Sequence, residues 1–292
     1  MMDRGVVIVT GASTGFGRLI AQTLARSGYR VFATMRDIGV RNAAAAAQVA
    51  ALASAEGLAL EALEIDVTQE DSVSRAVGTV LERCARLDVV VNNAGYAILD
   101  LLETVTTEQA RDIFETNFFG ALRMNRAALP AMRRQGSGLL LHISSGAGRL
   151  AIPGMGMYSA SKFALEALAE VYRYELAALG IDSVVIEPGP YPTPIMSKFI
   201  PGGDGARRSG YGPLAGLPAQ VGASLSSSRG DPQEVADCVL RIIEMPAGER
   251  PLRNRVSAGN LGVSRINAVT DEVQAQVLDA FGMTEATRFR RR

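Results

Sequence analysis

A tyrosine, a lysine and a serine near the middle of the chain carry the groups of a proton-transfer device. Tyr158 and Lys162 are four residues apart, so on a helix they lie on one face, one turn from each other. Ser145 comes thirteen residues before the tyrosine, just after an apolar run that predicts a strand. An ammonium group favours a nearby phenolate by charge, and we therefore expect Lys162 to lower the pKa of Tyr158 from about 10. The spacing alone is weak evidence, because most such pairs are only neighbours on a helix surface.

Short apolar runs alternate with helical patterns along most of the chain, as expected for strands connected by helices. The predicted strands are 5–10, 30–35, 60–65, 88–91, 139–143, 183–187 and 255–258. The predicted helices are 16–26, 43–55, 71–84, 108–134, 158–179, 231–244 and 271–281. Because no two runs are joined by a hairpin signal, we predict an α/β fold of the doubly wound, Rossmann type. It would have one parallel sheet of about seven strands with helices on both faces.

The length of 292 residues suits one large domain, 1–292, with two segments of different composition. Residues 190–230 are rich in glycine, proline and serine and follow the sixth predicted strand. Long irregular segments in compact domains are either lids or disordered. Since ligands of open α/β sheets bind outside the carboxyl ends of the strands, we predict a mobile substrate lid in 190–230. The basic segment 283–292 is predicted to be a frayed tail.

The composition argues against several classes of function. The 30 basic residues balance 30 acidic ones, so no overall positive field favours nucleic acid or an anionic membrane as a partner. One histidine and two distant cysteines show neither the pattern of a metal site nor that of a disulfide framework. No signal peptide and no apolar stretch of about 18 residues is visible, so we expect no membrane span and a cytoplasmic location.

A glycine-rich turn lies between the first predicted strand and the first predicted helix. Gly11, Gly15 and Gly17 permit a tight turn, a close backbone approach and tight packing of the helix on the strand. The start of that helix presents unpaired N–H groups and a positive dipole end, which suit a pyrophosphate. An ordinary loop also tolerates glycines, but this position in an alternating α/β chain favours a dinucleotide site. The domain is therefore predicted to be a dinucleotide-binding catalytic domain.

The end of the second predicted strand indicates which dinucleotide is bound. An acidic side chain here holds the ribose 2′-hydroxyl of NAD, whereas an arginine accommodates the 2′-phosphate of NADP. Met35 occupies the position where an acid is expected, and Arg36 follows it. We therefore predict that NADP(H) is preferred over NAD(H). The alternative is that Arg36 only pairs with Asp37 on the surface.

From about Val6 to Thr193 the chain resembles the short-chain dehydrogenases/reductases of ordinary length. Its glycine turn matches the family's Thr-Gly-x-x-x-Gly-x-Gly, and the other family motifs follow in the family's order and spacing. These are Asp66-Val67, Asn92-Asn93-Ala94-Gly95, Asn117, Ser145, Tyr158-x-x-x-Lys162, and Pro188-Gly189 with Thr193. Two stretches, 33–37 and 158–166, look similar to 17-beta-hydroxysteroid and retinol dehydrogenases and to bacterial ketoreductases.

The resemblance implies which residues bind the cofactor and which catalyse. The implied cofactor residues are Gly11, Ser13, Thr14, Gly15, Phe16, Gly17, Arg36, Asp66, Val67, Asn93, Ala94, Gly95, Tyr158, Lys162, Pro188, Gly189 and Thr193. The implied catalytic residues are Asn117, Ser145, Tyr158 and Lys162. The chain departs from the family at Thr14, where many NADP-using members carry a basic residue. The NADP prediction therefore depends mainly on Arg36.

The implied reaction is hydride transfer between a nicotinamide and a carbonyl or alcohol, with the protein handling the proton. Tyr158 would be the general acid of reduction, and Ser145 would hydrogen-bond the substrate oxygen. Lys162 would hold the nicotinamide ribose and lower the pKa of the tyrosine, and Asn117 would anchor a water that connects the lysine to solvent.

Two other functions fit parts of the sequence. His142 lies near Ser144 and Ser145 as in some hydrolases, but no Gly-x-Ser-x-Gly elbow is present, and a structural role in the strand is favoured. A non-catalytic NADP-binding sensor or scaffold on the same fold remains the main alternative.

The substrate and the assembly are predicted only in outline. Most candidate pocket residues are apolar, which predicts a hydrophobic ketone: Tyr96, Ala97, Met155, Met157, Pro190, Tyr191, Met196, Phe199 and Ile200. Members of the family are commonly homodimers or homotetramers, packed through helices that correspond to 108–134 and 158–179.

Overall fold

A computed structural model describes residues 4–194, 199–257 and 262–290 of the chain. Over these residues, seven strands form one sheet in the order β3-β2-β1-β4-β5-β6-β7, and every neighbouring pair is parallel. The strands are β1 Val6–Val9, β2 Arg30–Met35, β3 Leu60–Glu64, β4 Val89–Asn92, β5 Gly138–Ile143, β6 Ile181–Pro188 and β7 Arg253–Val256. The predicted doubly wound α/β fold is confirmed.

Nine α-helices of at least eight residues connect or follow these strands within the described ranges. They are α1 Gly15–Arg26, α2 Ala43–Glu56, α3 Glu70–Cys84, α4 Thr107–Phe114, α5 Gly120–Gln135, α6 Gly156–Glu175, α7 Leu217–Ser226, α8 Gln233–Glu244 and α9 Val263–Ala280. The single helix predicted for 108–134 is in fact two, because a π-helical turn over Glu115–Phe119 separates α4 from α5. Helix α9 begins eight residues before its predicted start at 271, directly after Gly262 with its left-handed backbone, φ 84°.

Both faces of the sheet are covered, which explains why the central strand β1 is apolar at every position. In β1, Val7 and Val9 pack toward a core with α1 and α8, whereas Val6 and Ile8 pack toward a core with α3 and α5. Successive strand residues point to opposite faces, so a strand buried on both faces must be apolar throughout. The layers hold the carboxyl ends of β1, β4, β5 and β6 at one edge of the sheet.

The two segments of unusual composition are more ordered than their sequence predicts. The segment 190–230 contains a 3₁₀ helix over Gly205–Gly216 and then α7, while its residues 195–198 lie outside the described ranges. Alanine and leucine in 214–225 provide the helix-forming content that the glycine count concealed.

The predicted frayed tail contacts the domain instead. Phe289 packs against Gly248, and the N–H of Arg290 donates to the carbonyl of Ala177 over 3.1 Å. The aromatic ring supplies an apolar anchor that a count of arginines does not register.

Candidate active site

The glycine turn packs against the loop that follows β4 so closely that side chains are excluded. A Cβ on Gly11, whose φ is 66°, would lie 2.8 Å from the Cα of Ala94, and one on Gly17 would lie 2.4 Å from Asn93 Nδ2. Thr10 binds the two segments together, because its hydroxyl accepts from the N–H groups of Asn93 and Ala94 over 2.9 and 3.0 Å. The turn is therefore held rigidly at the carboxyl edge of the sheet.

The start of α1 is open to a ligand. Thr14, the residue before the helix, makes no side-chain capping bond, so the first N–H groups of α1 stay available. Gly15 faces Thr193 and the proline after it, whose side chains would lie 3.9 Å from a Cβ on the glycine. Ser13 lies in the same turn, and the ring of Phe16 packs edge-on against Tyr191 at 5.7 Å between centroids. This geometry fits a pyrophosphate between the turn and the segment after β6.

The remaining predicted nucleotide residues surround the same edge. Asp66 follows β3, and its carboxylate accepts from the N–H and hydroxyl of Thr68 over 3.0 and 2.8 Å. Val67 packs under Gly120, where a Cβ would lie 2.8 Å from it. Pro188 ends β6, and the N–H of Gly189 donates to Val256 over 2.8 Å.

Arg36 extends from the end of β2 into solvent. Its side chain is exposed, and its carbonyl accepts a 2.6 Å bond from Asn42 Nδ2. Among the described residues no ion pair joins Arg36 to Asp37, so the alternative surface pairing has no support in the geometry. The guanidinium is therefore available to a ligand at this corner.

Asn117 lies in the π-helical turn, a type of turn that often marks functional sites. Its Nδ2 donates to the carbonyl of Tyr96 and to Ser161 Oγ, both over 3.0 Å, and its Oδ1 accepts from the N–H of Tyr96 over 3.0 Å. The Ser161 hydroxyl in turn donates to the carbonyl of Tyr158 over 2.8 Å. The asparagine thus joins the loop after β4 to the helix that carries the tyrosine.

The four predicted catalytic residues come together between α6 and the ends of β4 and β5. Lys162 Nζ donates to the carbonyl of Ile143 over 2.8 Å and lies 5.8 Å from the centre of the Tyr158 ring. The Ser145 hydroxyl accepts from the N–H of Ala147 over 3.1 Å and lies close enough to the Tyr158 phenol to lower its pKa. A Cβ on Gly95 would lie 3.0 Å from Asn117 Oδ1 and 3.7 Å from Lys162 Nζ, so only glycine fits between them.

The proton affinities of the site are set by burial. Burial lowers the pKa of Lys162 to about 8, and the carboxyl of Glu166 one turn along opposes that change. Burial also raises the pKa of Tyr158, with the hydrogen bond to Ser145 acting in the opposite direction. We expected Lys162 to lower the pKa of Tyr158. In the cofactor-free protein that expectation is wrong: the pKa is raised, because desolvation of the phenolate dominates.

His142 has the structural role that the sequence favours. It is fully buried in β5, its Nδ1 lies 3.2 Å from the carbonyl of Val184, and its Nε2 lies 3.1 Å from Asn125 Nδ2. Both ring nitrogens thus have partners, and burial lowers the pKa of the ring to about 4. The arrangement does not offer a base to a serine nucleophile.

The predicted pocket residues divide into two groups. Tyr191 is buried and donates to Glu234 on α8 over 2.8 Å, so it belongs to the core rather than to an open pocket. Ala97 and Met155 are also buried. Met196 lies outside the described residues. The remaining residues keep accessible surface: Tyr96, Met157, Pro190, Phe199 and Ile200.

Some residues that build this site were not predicted as part of it. Thr10 and Ser161 act through contacts with segments distant in sequence, whereas Glu166 acts on Lys162 one turn away on the same helix; the signal for all three is only their position beside the motifs. A search of the described residues finds no helix long and apolar enough to cross a membrane, and no group of histidine, cysteine or acidic side chains suited to a metal ion.

Comparison with known proteins places the chain in a family. A family model described as short chain dehydrogenase matches residues 5–202. The chain is 33% identical to bovine retinol dehydrogenase 8 over 268 residues, 86% of this chain and 81% of the relative. It is 38% identical to human 17-beta-hydroxysteroid dehydrogenase type 1 over 202 residues, 68% of this chain and 60% of that protein. A solved short-chain dehydrogenase from Streptomyces avermitilis matches with a TM-score of 0.76 and 32% identity, covering 99% and 100% of the two chains. The chain belongs to the short-chain dehydrogenase/reductase family, whose members use a nicotinamide nucleotide to interconvert alcohols and carbonyl compounds.

Proposed function

We propose that the protein is an NADP(H)-dependent carbonyl reductase that acts on a hydrophobic ketone. The observation that carries the proposal is the grouping of the Tyr158 phenol with the Ser145 hydroxyl, which lowers the pKa of the phenol, and with the Lys162 ammonium, 5.8 Å from the centre of the phenol ring. A phenol and a hydroxyl at one point form a site for a carbonyl oxygen that gains negative charge and then a proton. The nicotinamide cofactor supplies the hydride when it is bound.

Each residue of the set then has one role. Tyr158 donates its proton to the forming alkoxide, and its raised pKa keeps the phenol protonated at neutral pH, as a general acid requires. Ser145 donates to the substrate oxygen. Lys162 holds the nicotinamide ribose hydroxyls and returns a proton to the tyrosine. Asn117 and Lys162 both lie next to Gly95. Here Asn117 would anchor a water that connects the lysine to solvent.

The cofactor is proposed to lie along the carboxyl edge of the sheet. The start of α1 suits its pyrophosphate, and the exposed guanidinium of Arg36 suits a 2′-phosphate. Asp66 and Val67 would hold the adenine, and Thr193, which lies beside Gly15, would contact the phosphates. The preference for NADP rests on Arg36 alone.

The substrate is proposed to bind between the tyrosine and the segment 190–230, which we propose is a lid over the pocket. Apolar side chains line this side of the site: a Cβ on Gly154 would lie 3.8 Å from both Leu99 and Val221, and one on Gly156 would touch Leu102. An apolar lining favours a hydrophobic substrate because burying its surface contributes about 25 cal/mol per Å².

We further propose that the protein is a homodimer or homotetramer located in the cytoplasm. Phe119 beside α5 and Phe163 and Val171 on α6 are exposed by 40, 41 and 49%. Exposed apolar side chains on neighbouring helices suit contact with a second copy. Both cysteines are free thiols, as is usual in a reducing compartment.

The function is tested by NADPH consumption with a panel of hydrophobic ketones, using the wild-type protein and two variants. Tyr158→Phe should bind NADPH as tightly as the wild type but lose nearly all turnover, while Tyr172→Phe on the same helix should keep it. Normal turnover of Tyr158→Phe would refute the mechanism. Tight binding of NADPH without turnover of any ketone by the wild-type protein would support the sensor alternative.

A further inference from the structure

A second pair of titratable groups lies behind Lys162, on the side away from the substrate. Glu166 is one helical turn after the lysine on α6 and is 2% exposed, and Glu187 is on β6 with no exposed surface. Each carboxyl is buried near the other, and the charge of Glu187 disfavours ionisation of Glu166. None of the steps proposed for catalysis uses either residue.

Oxygen atoms in this cluster lack hydrogen-bond partners. Glu187 Oε1 is buried and unpartnered among the described residues, and Glu166 Oε1 has only the Ser144 hydroxyl beside it, which lowers the pKa of Glu166 without meeting strict hydrogen-bond geometry. Ser144 and Glu166 lie together, because a Cβ on Gly148 would be 2.6 Å from the serine hydroxyl and 3.3 Å from the glutamate Cγ. Buried polar atoms are nearly always bonded, so oxygens left over at one place indicate a missing proton or water.

The cation that is bonded to Glu166 is shared with other carboxylates. The nearest cation, Arg253, donates to Glu166 Oε2 over 3.2 Å, but it also binds Glu170 and Asp271 over 2.6 and 2.9 Å. Glu187 Oε2 is held by a neutral amide, Asn267 Nδ2, over 2.7 Å. The charged and titratable groups facing the pair are Lys162 and Glu170 on α6, Arg149 after β5, Arg253 and Arg255 on β7, and Asp271 on α9.

We infer that Glu166 and Glu187 share one proton and that this pair acts as a positioning and charge-setting element for Lys162. Two neighbouring carboxyls in a low-dielectric site lose their protons in separate steps, and the first proton lost leaves a single charge that the pair shares. A proton on one carboxyl also supplies a hydrogen-bond donor to a buried carboxyl oxygen that otherwise has no partner. The role toward Lys162 rests on the proposed function, whereas the shared proton does not.

The pair gives the site a defined dependence on pH. Burial and the neighbouring Glu187 raise the pKa of Glu166 to about 7, and a negative Glu166 favours the charged form of Lys162. As the pH rises through about 7, a negative charge therefore develops next to the lysine and keeps its ammonium form. Turnover should therefore rise as Glu166 ionises. Between pH 6 and pH 7.5 the increase should be up to about tenfold, because the ionised fraction of a group with a pKa of about 7 changes by about that factor.

The shared proton is tested by infrared spectroscopy on the cofactor-free protein, which does not depend on activity. At pH 6 the wild type should show the carbonyl band of a buried protonated carboxyl, and this band should disappear by pH 8. Both Glu166→Gln and Glu187→Gln should lack the band, because the single remaining carboxyl no longer has the charge of the other carboxyl of the pair beside it. A band that persists in Glu187→Gln would mean that burial alone protonates Glu166, and it would overturn the sharing, as would a wild type without the band.

The role toward Lys162 is tested by the pH dependence of turnover in the same variants. Glu166→Gln should lose the rise between pH 6 and pH 7.5, and Glu166→Asp should recover part of it. Glu170→Gln, which removes another carboxylate from Arg253 but is not next to the lysine, should keep the wild-type profile. A Glu166→Gln profile that is only scaled down, with the rise retained, would show a purely structural role. If Tyr158→Phe turned over normally, the proposed function would fail while the infrared result still stood.

Discussion

Individual side chains in this site are governed by desolvation more than by the charges beside them. Burial raises the pKa of Tyr158 and lowers that of Lys162 to about 8, so both groups are shifted toward their neutral forms. A neutral phenol is a proton donor, which suits the direction of carbonyl reduction. The residue motifs predicted that Asn117, Ser145 and these two residues meet, but not their proton affinities, because burial depends on segments distant in sequence.

The preference for NADPH depends on one exposed side chain. Arg36→Leu should reduce kcat/KM for NADPH about 10- to 100-fold, which corresponds to the loss of one or two charge-assisted bonds to a phosphate. The value for NADH should stay unchanged, since NADH has no 2′-phosphate. Arg41→Leu, an exposed arginine further along the same loop, is the matched control. Equal kcat/KM for NADH and NADPH in the wild type would show that the assignment of Arg36 is wrong.

His142 should make the stability of the fold dependent on pH. Its pKa is lowered to about 4 by burial, whereas a histidine in the unfolded chain titrates near 6.5. The unfolded state therefore binds the proton first as the pH falls. The stability contributed by the neutral ring is fully present above about pH 6.5 and is lost toward pH 4.

Urea unfolding at pH 7.5 and pH 4.5 measures this contribution. The wild type should lose about 2–3 kcal/mol more than His142→Gln between the two values. Glu166, whose pKa is raised to about 7, has the opposite effect, because it stabilises the fold as the pH falls. Since both proteins contain Glu166, the difference between them isolates the contribution of His142. Equal losses in the two proteins would mean that the ring is not held neutral by the fold.

At the scale of helices and loops, the sequence predicted the strands well and the irregular segments poorly. β1, β4 and β5 are mostly apolar runs, and their length and flanking helical patterns identify them directly. The break between α4 and α5 depends on the hydrogen bonds of Asn117 to Tyr96 and Ser161, which no local pattern shows. The helices within 190–230 were missed because glycine and proline dominate the segment, although it is held by ion pairs to the loop after β4.

One of these ion pairs should determine how often the proposed lid opens. Arg208 Nε donates to Asp100 Oδ1 over 3.2 Å, and the N–H of Gly202 donates to the same carboxylate over 2.9 Å. Burial raises the pKa of Asp100, but the bonds from Arg208 and the backbone outweigh it, and the pKa is lowered overall. Removing the arginine leaves a buried carboxylate without its cation, which is costly.

Arg208→Ala should therefore increase hydrogen exchange at the Gly202 amide about tenfold or more and raise KM for the ketone, with less effect on KM for NADPH. Arg207→Ala is the control. Arg207 pairs with Glu103, but both side chains are at least half exposed, and such pairs contribute little. If Arg207→Ala increased hydrogen exchange at the Gly202 amide as much as Arg208→Ala does, the Arg208–Asp100 pair would have no specific role.

At the scale of the whole molecule, the order of the strands places the site. The chain moves outward from β1 to β3 and then returns to add β4 on the other side, so the direction of winding reverses between β1 and β4. Open α/β sheets bind ligands at such a reversal, and the glycine turn and Asn93 lie there. Strand periodicity predicted a parallel sheet but not this order, because the pairing of strands depends on how the helices pack on both faces.

The proposed assembly depends on the outer face of α6. Phe163, Ala167 and Val171 are four residues apart and form an exposed apolar ridge, with Phe119 on the neighbouring turn. Val171→Glu would place a charge in an interface built on this ridge, at a cost of several kcal/mol if the carboxylate is buried without a partner. We expect the variant to sediment as a monomer under conditions in which the wild type is a dimer or tetramer. Val269→Glu on α9, at a valine that is 61% exposed, provides the matched control and should leave the assembly intact. If Val269→Glu dissociated the assembly and Val171→Glu did not, the interface would lie on α9, and the proposed contact through α6 would be wrong.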